Sequence, residues 1–269
     1  ASSRSLFATL PGVSKERIVI ASHTDGTNVH EDNGALVMLE MARYFAQFPK
    51  ECLPKTLEFG FTTAHFYLAQ AGSFSYAEQL DSDYEDGTVA MALVLEHLGT
   101  RQYNAIPRAN SKPGREMVLS GKNETMSLFV NDSPLLIATT LSTVVEHDLR
   151  GFIALRGADL PGAHVPLHYS FGGEGSPYNS HLIPTVAYIT APWPLYNPAF
   201  GLEALNQELL YRQTLMFTDF LHVISPISRY LLAGNVQTER QARAVLCASP
   251  AAAQGLAICE GTPADSAGD

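Results

Sequence analysis

The thirteen residues His23-Thr-Asp-Gly-Thr-Asn-Val-His-Glu-Asp-Asn-Gly-Ala35 hold two histidines, two aspartates and a glutamate. A β-branched apolar run, Ile18 to Ser22, leads into them, and a helix-period pattern leaves them. Turns of this kind sit at the carboxyl ends of strands, where open α/β sheets bind their ligands. Zinc accepts His nitrogen and Asp or Glu oxygen, and a catalytic site keeps one position for water. His23 and Asp32 are therefore candidate ligands of a divalent ion. A plainer role fits the same residues: Asp32 capping the helix, and His23 as a hydrogen-bonded core residue. His30 and Glu31 are expected in solvent at the turn.

Other strand ends carry similar chemistry. Thr56 to Thr63 alternates as a strand and is followed by His65. Val89 to Leu95 reads as a buried strand ending on Glu96-His97. Neighbours on a strand point to opposite faces, so Glu96 facing a site would turn His97 away unless the strand has already ended. Gly172-Gly-Glu-Gly-Ser176 is a loop with one acid, Glu174. It could donate a carboxylate to the site or be a surface turn acid.

The elements that must position these groups follow from periodicity. Leu6–Leu10 reads as a strand closed by Pro11-Gly12, and 17–22 as a second, internal strand. Ala35, Met38, Leu39, Ala42 and Phe45 recur at helical spacing, with Asp32 or Asn33 as the expected N-cap. Residues 66–80, 134–147 and 201–224 also read as helices, and 184–190 as a late strand. Residues 101–115 read as a surface loop, with a possible short strand at 117–120, and 157–175 as a long loop. Strands alternating with helices predict an α/β fold: three layers, a mixed and mostly parallel sheet between helices. One domain is expected over 1–255, with a frayed tail at 256–269.

Composition narrows the partners. The net charge of −10 argues against nucleic acid or an anionic membrane as main partner. No apolar run reaches the roughly 18–20 residues of a membrane span. Of three cysteines, Cys247 and Cys259 are close enough to close a small loop, or all three are free thiols. One local pair suits a secreted or extracytoplasmic setting. Gly-x-Ser-x-Gly, a P-loop and a dinucleotide glycine fingerprint are absent.

The order His23-Thr-Asp-Gly, Glu31-Asp-Asn-Gly-Ala, Leu95-Glu-His-Leu-Gly and Ile183-Pro-Thr-Val-Ala-Tyr resembles the co-catalytic zinc aminopeptidases, relatives of bacterial leucyl aminopeptidase, glutamate carboxypeptidase and the single-zinc glutaminyl cyclases. The resemblance runs from about Leu6 to Ile224. It implies a zinc-aminopeptidase-like fold, His23 as ligand of one metal, Asp32 as bridging carboxylate and Asp25 as the partner that orients His23. Glu96 stands where that family carries an aspartate ligand. The chain departs from the pattern elsewhere. The family's Glu-Glu pair after the third strand is replaced by Thr62-Thr-Ala-His65, leaving His65 as the candidate ligand or base. Its last histidine ligand is replaced by Asn197, next to Tyr196, so both become candidates for the substrate pocket. His65 and Glu174 are the candidate proton carriers.

These features imply one zinc ion rather than two, held among His23, Asp32, Glu96 and His65. The expected activity is metal-dependent hydrolysis of a peptide or related amide bond in a small substrate. The alternative is an aminopeptidase fold without turnover, used for binding or assembly. That family often carries a further domain, so an upstream segment is expected to be missing.

Overall fold

The computed structural model describes residues 2–66, 70–109, 113–149, 171–193, 195–248 and Cys259, together with the backbone of 152–156. Strand β1 (Leu6–Leu10) runs antiparallel to β3 (Lys55–Thr62), and β2 (Ser14–His23) lies parallel on the other side of β3. Strand β4 (Val89–Leu95) pairs in parallel with β2. The ribbon of β5 (Arg101–Pro107) and β6 (Arg115–Asn123) stands apart from this sheet. Strands β7 (Met126–Val130), β8 (Phe152–Arg156) and β9 (Thr185–Ile189) complete the order β1-β3-β2-β4-β9-β7-β8. The sheet is mixed and mostly parallel, as the alternation of elements predicted.

Helices cover both faces because the central strands are apolar on both. On β2, Ile18 and Ile20 face one core, while Val19 and Ala21 face the other. The first core takes Met38, Met41 and Phe45 of α1 (Val29–Phe45), Leu136 and Val144 of α3 (Pro134–Glu146), and Phe217 and Phe220 of α5 (Gln207–Ile224). The second takes Tyr76, Leu80 and Tyr84 of α2 (Ala71–Glu85) and Tyr178 of α4 (Gly175–Ser180). The short α6 (Arg229–Ala233) lies between α5 and α7 (Val236–Cys247) in the chain.

Two expectations change, and one open alternative is decided. Residues 101–115 are not a plain loop: most belong to the β5–β6 hairpin, whose outward side chains are largely polar and give little strand signal. The first helix starts at Val29, not after Asp32, because the Asn28 side chain accepts the backbone N–H groups of His30 and Glu31. Cys247 and Cys259 form a disulfide, while Cys52 is free and exposed. The rest of the tail expected to fray lies outside the described residues, as does most of the long loop expected over 157–175. No helix among the described residues is long and apolar enough to cross a membrane.

Candidate metal centre

The adjacent strands β3, β2, β4 and β9 end together, and each end delivers a polar group to one place. Strand β2 ends on His23, whose side chain is fully buried. Helix α1 then turns Glu31 inward. Starting at Val29, the helix puts Glu31 on the same buried stripe as Gly34, Met38, Met41 and Phe45. Gly34 allows the close approach: a Cβ there would lie 2.1 Å from the Leu95 carbonyl oxygen. Glu31 and His30 are therefore buried, against the expectation of a solvated turn. Asp32 lies off the stripe, only half buried, and its Oδ1 accepts the Gly26 N–H at 2.8 Å. Its neighbour Glu31 is the acid that enters the cluster.

Strand β4 stops at Leu95, so the alternation rule no longer applies beyond it. His97 adopts a left-handed backbone, φ 55°, which brings its ring to the same side as the Glu96 carboxylate. His97 Nδ1 then contacts the Thr190 carbonyl oxygen at 2.8 Å, leaving Nε2 to face Glu31 Oε1 at 3.7 Å. His23 Nε2 lies 3.6 Å from Glu96 Oε2 and 3.8 Å from Glu31 Oε2.

A second layer holds these groups. Glu174 is not a surface acid but a buried one. Its N–H donates to Glu96 Oε1 at 2.7 Å, and its own Oε1 meets His65 Nδ1 at 2.5 Å. Ser73 and Thr62 hydroxyls contact its Oε2. Gly173, at φ +60°, makes room for this, since a Cβ there would lie 2.3 Å from Glu96 Oε1. Asp25 does not support the His23 ring; its Oδ2 accepts the His65 backbone N–H at 3.0 Å and so ties the two turns together. His65 stacks on His23 with ring centroids 4.0 Å apart.

The mouth of the site is formed by the loop after β9. Asn28 Nδ2 donates to the carbonyls of Leu195 at 2.7 Å and Asn197 at 3.0 Å. Tyr196 rests edge-on against Phe66, which in turn contacts His65. Tyr196 is exposed, and the Asn197 side chain accepts the Ala199 N–H rather than reaching inward.

The electrostatics are those of a site short of positive charge. Burial, aided by His65 and His97, pushes His23 down to about 2. Burial likewise pushes His97 down to about 4. Burial raises Glu31 to about 7, and burial together with Glu174 holds Glu96 well above the carboxylate range. For His65, burial favours the neutral ring, but the bond to Glu174 and the surrounding acids outweigh it and raise its pKa. Both ring nitrogens of His23, both oxygens of Glu31, Glu96 Oε2 and His97 Nε2 are buried with no hydrogen-bond partner among the described residues. A buried polar atom without a partner costs about 1–3 kcal/mol, so a guest that pairs with several of these six would be favoured. Nitrogen and carboxylate donors suit zinc. Two triads have donor atoms mutually within 4.8 Å: His23 with Glu96 and His97, and His23 with Glu31 and His65.

No protein-family model matches the chain, and no curated protein matches it. Solved structures do. An aminopeptidase from Aneurinibacillus sp. strain AM-1 superposes with TM-score 0.58 at 16% identity, covering 82% of this chain and 47% of that one. A glutaminyl cyclase from an Acidobacteriales bacterium gives 0.51 at 14%, over 82% and 73%. The gamma-secretase component nicastrin gives 0.52 at 12%, over 86% and 46%. The chain thus spans about half the length of the aminopeptidase it matches. At these identities the likeness is one of fold: the protein has the α/β architecture of the zinc aminopeptidases, with a sequence far diverged from them.

Proposed function

We propose that the protein is a zinc-dependent hydrolase of peptide or related amide bonds, aminopeptidase-like, with a rebuilt active site. The observation that carries this reading is the cluster of buried, unsatisfied nitrogen and carboxylate donors at the strand ends of this fold. Zinc bound there would polarise the scissile carbonyl and lower the pKa of a bound water to about 7.

The chain's own residues would do the rest. With Nδ1 committed to Glu174, His65 exchanges protons at Nε2, and the Glu174 carboxylate steadies the imidazolium that forms. Ser73 and Thr62 hold that carboxylate in place. His65 and Glu174 together replace the acid pair that the strand end Thr62-Thr63-Ala64 lacks. Phe66 and Tyr196 offer an apolar wall for a substrate side chain. The Cys247–Cys259 disulfide supports a secreted or extracytoplasmic setting.

The test is hydrolysis of aminoacyl-anilide substrates with and without a chelator. Turnover that stops on chelation and returns with zinc is the expected result. Zinc uptake without turnover on any aminoacyl or peptidyl substrate would instead favour the binding role, and no zinc uptake would overturn the metal reading.

A further inference from the structure

Resting on that reading, we infer that His97 is a metal ligand: with His23 and Glu96 it forms the site for a single divalent cation, and His65 stays outside the coordination shell. The two donor triads share His23, so the question is which partners it serves. An imidazole binds an ion through a lone pair lying in the ring plane. The His23 and His65 rings are stacked, 10° from parallel and 4.0 Å between centroids. Their planes meet only far outside the site, so no ion near His23 can lie in both.

His23 and His97 are arranged differently. Their planes cross at 76° with centroids 6.1 Å apart, close to the roughly 5–6 Å that two imidazoles on one ion adopt at Zn–N of about 2.0–2.1 Å. Glu96 Oε2, 3.6 Å from His23 Nε2, faces the same point. All three donor atoms lack partners among the described residues. His97 also has the support usual for a ligating histidine, with its other nitrogen on the Thr190 carbonyl oxygen, and Glu96 is held through Oε1 by the Glu174 N–H. The left-handed turn at His97 has a purpose on this account: it converts the residue after Glu96 from an outward group into a third donor.

The assignment is tested by calorimetric titration of the metal-free protein with zinc chloride. Wild type should bind one equivalent. His97→Gln should weaken zinc binding on the order of a hundredfold or more, since loss of even an outer-shell partner costs 10–100-fold, whereas His65→Gln should stay within tenfold. A second readout does not depend on how His97→Gln folds. In protein carrying ¹⁵N-labelled histidine, zinc should shift two ring nitrogens, and both shifts should persist in His65→Gln. Loss of one of them in His65→Gln, or unweakened binding in His97→Gln, would overturn the assignment alone. A wild-type protein that takes up no zinc would overturn both the assignment and the hydrolase reading.

Discussion

Two of the buried charged clusters among the described residues differ in how their charges are met. Around Asp81 of α2, Arg243 donates to both carboxylate oxygens at 2.6 and 2.8 Å, Arg240 adds a bond at 2.5 Å, and His181 approaches at 3.3 Å. Burial alone would raise the Asp81 pKa, yet the hydrogen bonds to His181 and Arg243 and the two guanidinium charges bring it far below the carboxylate range. Around His23 the acids Glu31 and Glu96 have no Arg or Lys ion pair among the described residues; they meet histidines and, at Glu96 Oε1, the Glu174 N–H, and burial drives both acids up and His23 and His97 down. One cluster is satisfied by the protein and clamps α7 to α2. The other leaves its donor atoms without partners among the described residues, which is the feature the proposed zinc site rests on. Burial and charge alone do not distinguish the two clusters; the concentration of unpartnered donor atoms around His23 does.

That contrast can be broken at several points. Arg240→Met should be the most damaging to folding, costing about 3 kcal/mol, because Asp81 and the His181 and Leu182 carbonyls lose a donor while Arg243 still meets Asp81. Urea denaturation measures it, and a loss under 1 kcal/mol would mean the clamp is not structural. Changes in the open cluster should instead spare the fold and remove the guest. Zinc at a hundred times its dissociation constant should stabilise wild type by about 2.7 kcal/mol, and Glu96→Gln should lose most of that gain. Equal zinc stabilisation of both proteins would place the ion elsewhere.

A pH series sharpens the comparison further. In metal-free protein Glu31 keeps its proton up to about pH 7, whereas its ordinary value is 4.5. Between those values the folded state holds a proton that the unfolded state has released, so the stability Glu31 contributes falls as pH rises. Glu31→Gln should therefore gain on wild type from pH 4.5 upward, levelling off above about 7, by something on the order of 2 kcal/mol. His23 works the other way, losing stability as pH falls below 6.5, but it does so in both proteins and cancels in the difference. A difference that is flat with pH would show that Glu31 is not desolvated. The smallest effect is expected at the mouth, where Tyr196→Ala should raise KM roughly three- to tenfold with kcat nearly unchanged. A fall in kcat instead would place Tyr196 in the chemistry rather than on the pocket wall.

The sequence made the layered fold legible because β4 is apolar throughout, and β2 and β9 carry apolar runs at 18–21 and 186–189, between helical patterns. It showed only 117–120 of β6 and hid β5 and β7; on the ribbon, Ile106 and Leu119 point outward among polar residues and blur the alternation. In the site, His23, His65 and Glu96 could be picked out as strand-end residues. Glu31 was missed because the helix was started too late, although counting back from Phe45, Met41, Met38 and Gly34 in steps of three and four reaches it. His97 was missed because strand alternation was carried past Leu95, and the left-handed turn that redirects it has no glycine to announce it. Glu174 sat in a glycine-rich loop whose folding against Glu96 depends on contacts distant in the chain. The proposed roles of Glu31, His97 and Glu174 rest on tertiary placement.

The central claim is that the open cluster is a metal centre. Anomalous diffraction at the zinc edge, from crystals grown with zinc, tests it most directly. The account predicts one peak bounded by His23 Nε2, Glu96 Oε2 and His97 Nε2, at about 2.0–2.2 Å from each. Saturating zinc with no peak among these residues would contradict it.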